Sequence, residues 1–183
     1  MTTAPQVFAL SRLSTPIGVA LVATDDQGRL RVFDWEDCAA RMQRGLDRFY
    51  RTAGGVRFDE SRGAAWAVVD RLKAFFAGDL TAIDSIPVES AGTPFQRKVW
   101  ATLRKIPAGK TWTYTQLAAK VGRPEAVRAA GTANGANPIS IVVPCHRVIG
   151  ADGSLTGYGG GLYRKEWLLG HEGAVLKRRK TAA

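Results

Sequence analysis

The residue pattern of the chain changes near Ser90, where the segment AGTP follows. Before this point, apolar and β-branched residues recur between turn residues, a pattern that predicts strands and at least one hairpin. After it, apolar residues recur at helical spacing between glycines and prolines that limit helices. A length of 183 residues allows one large domain or two small ones. We therefore predict an α/β domain over 1–90, a mainly helical domain over 91–173 and a basic tail over 174–183.

The first half is predicted to combine strands with two helices. Strands are indicated by VFALS, IGVALVAT and RLRVFDW, with the turn DDQG before the last of them, and a further short strand by AIDSIPVE. Helices are indicated by ARMQRGLDRFYR and by AAWAVVDRLKAFFAG, which Gly78 ends. No catalytic group is assigned to this half. Its clustered acidic residues are interpreted as turn and surface charges: Asp25, Asp26, Asp34, Glu36 and Asp37.

Three helices are predicted in the stretch after the break. Thr93 followed by Pro94 is typical of an N-cap and first helical turn. The break IPAGK leads to WTYTQLAAKVG, a short helix closed by Gly122, and a second short helix starts at Pro124 and stops at Gly135. Two short helices joined by a tight turn match the helix-turn-helix pattern, although any helical hairpin can give the same signal.

The second short helix has an almost bare surface, with Arg128 as its one long side chain. A helix that reads bases in the major groove would carry several polar residues, whereas this helix suits close approach in a minor groove with one projecting arm. The alternative is an ordinary helix that packs through its alanines. The small residues are Ala126, Ala129, Ala130, Gly131 and Ala133.

The formal net charge of +10 favours a polyanionic partner such as nucleic acid. The alternative is a basic solvated surface together with the C-terminal segment KRRKTAA. No apolar segment is long enough to span a membrane, and the start does not resemble a signal peptide, so we expect a cytoplasmic protein without a membrane partner. Two cysteines and two histidines do not form a zinc framework, and free thiols, no metal and no cofactor are expected.

The segment IVVPCHRV places Cys145 at the end of a predicted buried strand and directly before His146. A free cysteine often behaves as a small buried hydrophobe, which is the simplest interpretation. Adjacent strand residues point to opposite faces, so a water or a bend would be needed to connect the two side chains. The last predicted helix ends near Glu172, a carboxylate that could orient an imidazole. A glycine-rich loop around Tyr158 would let the backbone approach a flat ligand.

Four segments together resemble the O6-alkylguanine-DNA alkyltransferases: PCHRVI, YTQLAAKVGRP, VRAAGTANGANPISIV and GYGGGLYRKEWLLGHEG. The similarity is specific over 93–173, and SRLSTPIG and RLRVFDWED are similar to the bacterial single-protein form. The resemblance implies an N-terminal α/β domain with a ribonuclease-H-like sheet and a mainly α C-terminal domain with a helix-turn-helix. It also implies the partner, double-stranded DNA that contains O6-alkylguanine. O4-alkylthymine as a second substrate and cooperative binding by a monomeric protein are left open.

The resemblance also implies catalytic roles. Cys145 would be the nucleophile that accepts the alkyl group, and His146 its base, acting through a water and polarised by Glu172, so that the thiol is deprotonated for attack. Tyr114 would donate its hydroxyl to the departing guanine. Asn137 would be the hinge between the DNA-binding helices and the active-site segment.

Further positions follow from the same resemblance. Arg128 would enter the base stack while the damaged nucleotide is rotated out. Gly159 stands where some relatives have serine, so a hydroxyl contact is lost there while the N–H contact remains. Positions expected to contact DNA are Arg128, Ala129, Gly131, Thr113 and Gln116. Positions expected to line the substrate pocket are Tyr114, Val148, Tyr158, Gly159 and Gly160, and the carbonyls of Cys145 and Val148 would read the base edge.

The expected activity is a single irreversible transfer, because a thioether is a poor leaving group and no second nucleophile is apparent. Three other classes of protein are alternatives to a transferase of this kind. A sensor that only binds alkylated DNA would lack the acceptor thiol, and a transcription regulator would show a polar recognition helix. A cysteine hydrolase would need an oxyanion hole beside Cys145 and would turn over repeatedly without DNA.

Overall fold

The computed structural model describes residues 4–176 of the chain, and its N-terminal half is organised around a four-stranded sheet in the order β3-β2-β1-β4. The strands are β1 (Gln6–Thr15), β2 (Gly18–Thr24), β3 (Leu30–Trp35) and β4 (Val56–Asp59). The first three pair antiparallel as predicted, while β4 lies parallel to β1 at the edge. Sequence reasoning missed β4, since its four residues are nearly all half-buried and show no clear alternation.

Two helices pack on the sheet, as the sequence predicts. Helix α1 (Ala39–Phe49) buries Met42 and Leu46 against one sheet face. Helix α2 (Trp66–Phe76) buries three apolar residues in the larger core on the other face and ends before Gly78, which has a positive φ of 110°. The apolar residues at helical spacing therefore identify both helices and their buried sides.

The predicted strand at AIDSIPVE is wrong. The segment forms successive turns in which Asp84 N–H donates to the Thr81 carbonyl at 3.0 Å and Ile86 N–H to the Ile83 carbonyl at 3.2 Å. One isolated bridge joins Val88 to Leu30 of β3. Ile83 and Ile86 lie in these turns and are buried in the core, which explains why the segment has the apolar composition of a strand.

The second half is mainly helical. It contains α3 (Pro94–Leu103), β5 (Trp112–Thr113), α4 (Tyr114–Lys120), α5 (Val127–Gly135), β6 (Val148–Ile149) and α6 (Leu162–His171). Thr93 caps α3 together with Gln96, which confirms the predicted N-cap. Pro124 does not start α5 as predicted, because 123–126 close a turn first, with Ala126 N–H donating to the Arg123 carbonyl at 2.8 Å.

The predicted strand before Cys145 is also wrong. Residues 140–144 are buried turns, and Val143 N–H donates to the Ile139 carbonyl at 3.0 Å. Ile141 has a φ of 69°, and it is the one non-glycine in the described range with a positive φ. A β-branched residue is unfavourable there, so surrounding packing has to hold the strained turn, at a cost of about 1 to 3 kcal/mol. The segment is apolar because it is buried on all sides.

One apolar cluster contains residues from both sides of the predicted boundary near Ser90. Arg164 of α6 adds polar contacts between the halves, because it donates to the Ile17 carbonyl at 2.8 Å and pairs with Asp37 at 2.9 Å. Its guanidinium also lies 4.4 Å from the Trp35 ring centroid. The division into 1–90 and 91–173 stays a prediction, and residues 177–183 of the predicted tail lie outside the described residues. Within 4–176, no helix is long and apolar enough to cross a membrane.

Candidate active site

Cys145 begins a 3₁₀ turn that runs to Arg147, directly after Pro144. Its side chain is buried, with 6% of the residue exposed. The cavity beside it has a volume of about 10 Å³, roughly the space of one water molecule. The cavity is lined by Arg41, Asn134, Gly135, Asn137, Ser140, Cys145, Gly157, Tyr158 and Gly159.

The 3₁₀ turn separates three consecutive side chains, because each residue rotates about 120° from the last. His146 is fully buried, and its Nε2 lies 2.8 Å from Glu172 Oε1, as the predicted pairing requires. Arg147 donates from Nε to Oε2 of the same carboxylate at 2.9 Å and from Nη2 to Oε1 at 2.8 Å. Its Nη1 donates to the Ile106 carbonyl at 2.5 Å. Sequence reasoning missed Arg147, although a cation within a fully apolar segment was a signal.

The pKa shifts of Glu172 and His146 determine which atoms of this cluster carry protons. Burial alone would raise the pKa of Glu172, but His146 and Arg147 outweigh it and lower the pKa to about 2. Burial lowers the pKa of His146, against the opposite effect of Glu172, so the imidazole is neutral near pH 7. An ionised carboxylate only accepts hydrogen bonds, so His146 carries its proton on Nε2. Its Nδ1 is buried without a partner among the described residues and is free to accept a proton.

The thiol of Cys145 is protonated in this environment. Burial raises its pKa, and a hydrogen bond with Asn137 and the charge of Lys165 oppose this only in part. A thiolate at this position would therefore need a base in order to form.

Asn137 fixes the turn that leads to Cys145. Its side-chain Nδ2 donates to the carbonyls of Val143 at 2.8 Å and Ile139 at 3.3 Å, and its Oδ1 accepts from Ile139 N–H at 3.0 Å. Asn134, within α5, donates to the Cys145 carbonyl at 3.4 Å. The two amides therefore connect the end of α5 directly to the active-site turn. Sequence reasoning found Asn137 through the family resemblance and missed Asn134.

Tyr114 begins α4, and its hydroxyl donates to the carbonyls of Thr156 at 3.3 Å and Gly157 at 3.5 Å. Burial raises the pKa of this phenol, so it stays protonated and able to donate. Gly131 of α5 lies beside the ring, where an added Cβ would be 3.5 Å from the Tyr114 Cδ1 atom. Helices α4 and α5 are therefore close together at Tyr114, whose hydroxyl is a hydrogen-bond donor beside the glycine-rich loop.

Lys165 is a buried cation that sequence reasoning also missed. Its Nζ donates to the Val148 carbonyl at 2.5 Å and to the Thr156 carbonyl at 2.7 Å. Burial lowers its pKa to about 8. The Val148 carbonyl, which was expected to read a base edge, is therefore already a hydrogen-bond acceptor of Lys165.

The predicted DNA-contact residues separate into two groups. Arg128 and Ala129 are exposed on α5, and the Arg128 side chain makes no hydrogen bond or ion pair within residues 4–176. Thr113 and Gln116 instead cap α4 reciprocally: Gln116 N–H donates to Thr113 Oγ1 at 3.2 Å, and Thr113 N–H to Gln116 Oε1 at 2.8 Å. Their contacts in this structure are with the helix terminus.

The N-terminal half contributes directly to the site, which was not expected. Asp34, interpreted above as a surface charge, is only 2% exposed and accepts from Arg41 Nη2 at 2.7 Å. The guanidinium of Arg41 covers Gly159, since an added Cβ would be 2.6 Å from Nη1. A Cβ at Gly160 would likewise lie 2.5 Å from Trp35 Nε1. This close approach explains why the loop is built from glycines.

Two further arrangements complete the site. Cys38 Sγ lies 3.6 Å from the Gly159 carbonyl, and neither cysteine forms a disulfide. Within the described range, no group of three or more His, Cys, Asp or Glu side chains could hold a metal ion. The chemistry available to the site is therefore that of Cys145, the His146–Glu172–Arg147 cluster and the Tyr114 hydroxyl.

Known proteins are similar to this chain in sequence and fold. Residues 94–174 match the family described as "6-O-methylguanine DNA methyltransferase, DNA binding domain". The crystal structure of Mycobacterium tuberculosis OGT in complex with DNA is 38% identical, with a TM-score of 0.74, and covers 91% of this chain and 92% of its own. The chain thus has the mixed α/β fold of OGT structures.

Curated relatives define the family more closely. A methylated-DNA–protein-cysteine methyltransferase of Shigella flexneri is 52% identical over 165 residues, or 90% of this chain and 95% of the relative. One of Methanosarcina acetivorans is 53% identical over 160 residues, or 87% of this chain and 95% of the relative. The chain therefore belongs to the methylated-DNA–protein-cysteine methyltransferase family.

Proposed function

We propose that this chain repairs DNA by transferring the alkyl group of O6-alkylguanine to Cys145, once per molecule. The supporting observation is the buried thiol followed in sequence by His146, a neutral imidazole held by the ionised Glu172 at 2.8 Å. This arrangement supplies a nucleophile and an uncharged base, both buried. O4-alkylthymine is the second substrate class to test.

The proposed step is a displacement at the alkyl carbon. The Cys145 sulfur forms a bond to that carbon while the bond between the carbon and guanine O6 breaks, and the electron pair moves onto the purine. The thiol proton passes through a water to His146 Nδ1, and Glu172 stabilises the resulting imidazolium. Tyr114 donates a hydrogen bond from its hydroxyl to the departing guanine, where negative charge develops, and the net reaction moves the thiol proton to the purine. The thioether formed is stable, so the protein is consumed.

We further propose that α4 and α5 form a helix-turn-helix that enters the minor groove, while the N-terminal sheet is ribonuclease-H-like. The small exposed surface of α5 and its unpaired Arg128 support this placement. The cavity of about 10 Å³ cannot hold a guanine, so the loop over 157–160 has to shift when a flipped nucleotide enters. The division into two domains near Ser90 remains part of this proposal.

Intact mass spectrometry tests the proposed function directly. Mixing the protein with excess O6-methylguanine oligonucleotide should add one methyl group per molecule, because a thioether is a poor leaving group. Peptide analysis should locate the methyl on Cys145, while Cys38 stays unmodified. Cys145→Ala is the control and should gain no mass. Repair of more than one lesion per molecule, or methylation elsewhere, would contradict the proposal.

Arg128→Ala should slow repair of duplex DNA at least about tenfold more than reaction with free O6-benzylguanine. The duplex reaction pays for unstacking the damaged base, which costs a few kcal/mol, whereas the free base requires no flipping. Single-turnover rates on both substrates measure the difference. Arg123→Ala is the control, because it removes one exposed positive charge near α5 whose ion pair with Glu125 contributes little. Equal losses on both substrates would remove Arg128 from this role.

A further inference from the structure

Helix α1 presents two arginines that the activity described so far does not use. Arg44 and Arg48 are one helical turn apart and therefore lie on the same face. Both are exposed, and neither makes a hydrogen bond or an ion pair with any residue in the described part of the chain. Two long cations on one face without counter-charges attract an anion from outside the protein.

These arginines line a cleft between α1 and the C-terminal end of α5. The cleft has a volume of about 310 Å³, and Arg44 and Arg48 contribute to one wall. Its opposite wall is formed by Thr132, Gly135 and Ala136 at the end of α5. The N-terminal half thus places positive charge beside the helix that we assign to the minor groove.

Neighbouring charges do not neutralise the cleft. Asp34 is committed to Arg41, since Arg41 Nη2 lies 2.7 Å from its Oδ2 atom. Asp47 of α1 accepts a hydrogen bond from Gln43 at 2.8 Å and forms no ion pair with either arginine, so its single negative charge offsets their two positive charges only in part. The remaining charge is therefore positive and accessible to a ligand.

We propose that Arg44 and Arg48 bind backbone phosphates of the DNA strand that flanks the groove occupied by α5, which extends the DNA interface into the N-terminal half. The inference rests on the proposed placement of α5. The minor groove is only about 6 Å wide and is bordered by phosphates on both sides, so an element beside α5 meets one of those borders. Phosphate contacts of this kind fix the orientation of a protein on the duplex without reading its sequence.

Backbone phosphates fit this cleft better than a single small anion. The cleft is open, and small residues line one of its sides. Arg44 and Arg48 are one helical turn apart, and no hydrogen bond within the described residues orients their side chains around a single ion. A row of phosphates along a strand offers two separate contacts at that spacing, and each releases a condensed counterion.

Salt-dependent binding to a short undamaged duplex, long enough for one molecule, tests the proposal. Arg44→Ala/Arg48→Ala should weaken binding by up to about 60-fold at 0.1 M salt and reduce the slope of log K against log salt by about 1.8, since each phosphate contact contributes about 0.9. Arg44→Lys/Arg48→Lys should retain most of the slope. The matched control is Arg57→Ala/Lys73→Ala, which removes two exposed, unpaired charges, one on the edge strand β4 and the other on α2.

Three outcomes are separable. A slope equal to that of the control overturns the proposal, provided thermal melting shows that both double variants fold. A loss seen only on long duplexes that hold several molecules would assign the surface to a second copy of the chain and also overturn it. Failure of the parent protein to accept a methyl group on Cys145 would instead overturn the proposed function, independently of the salt slope.

Discussion

Glu172→Gln is expected to lower the free energy of unfolding by about 3 to 5 kcal/mol, the usual cost of removing one partner of a buried ion pair. The substitution keeps the shape of the side chain but removes the negative charge. Arg147 is then left buried and positive, and it keeps one acceptor oxygen instead of the two that accept from it at 2.9 and 2.8 Å, because an amide NH2 group only donates. Urea unfolding at pH 7 measures the change.

The pH dependence gives this prediction a second readout. The pKa of Glu172 is lowered to about 2 in the folded protein, from an unfolded value of 4.5. Because the folded pKa is depressed, the stabilisation is fully present above about pH 4.5 and is lost as pH falls towards 2. The parent should therefore lose stability over that interval, and the difference between parent and variant should shrink there.

Glu166→Gln is the matched control, because Glu166 is exposed on the same helix, α6. It should change stability by less than about 0.5 kcal/mol. The Glu172 variant should also slow methyl transfer by about 10²-fold or more, since a neutral amide no longer fixes the proton of His146 on Nε2. An unfolding free energy equal to that of the control would show that the carboxylate does not hold this cluster.

The helices could be predicted because their signals are local. Thr93 and Pro94 mark the start of α3, and Gly78 and Gly122 have the positive φ values of 110° and 81° that let the chain turn after a helix. Such signals act within four or five residues, so a single sequence displays them. The start of α5 was wrong because Pro124 favours a first helical turn and a tight turn equally well.

The active-site turn could not be predicted in the same way. IVVP has the composition of a buried strand, but the segment is enclosed by α5 and by β3, whose Phe33 bridges Ile139. Tertiary contacts decide its conformation, including the positive φ of Ile141. The sequence therefore predicts that this segment is buried, but it does not predict the backbone conformation of the segment.

Long-range partners explain the other omissions. Arg147 acts through Glu172, 25 residues away, and Arg164 reaches Asp37 across 127 residues. Arg41 covers the active-site loop from the opposite half of the chain. In a chain with 26 lysines and arginines, nothing local distinguishes Arg41 and Arg164 from solvated cations. Family resemblance supplied Cys145 and His146, and the structure adds the cations around them.

Alkylation of Cys145 is expected to lower the stability of the protein by about 1 to 3 kcal/mol, the typical cost of overpacking a well-packed site. The thiol is buried, and the adjoining cavity of about 10 Å³ holds roughly one water molecule, so a methyl group, which is larger than a water, would press against the cavity walls. This is a sizeable share of the roughly 5 to 15 kcal/mol that holds a domain folded.

Contacts of the turn that carries Cys145 indicate which part of the protein would move to relieve this strain. Asn137 and Asn134 connect the turn carrying Cys145 to the end of α5, so displacement of the turn would also displace this helix, which we propose binds DNA. The repaired duplex would then be released more easily. A shift of α5 would alter the cleft lined by Arg44 and Arg48 at the same time.

Thermal melting of the spent protein measures this effect. Protein methylated stoichiometrically by an oligonucleotide and then freed of DNA should melt about 2 to 4 °C lower for each kcal/mol of strain. Cys145→Ala, carried through the same treatment, controls for handling and should melt unchanged. A midpoint of the methylated protein equal to or above that of the untreated protein would show that the site accommodates the methyl group, and strain would then not account for release of the repaired DNA.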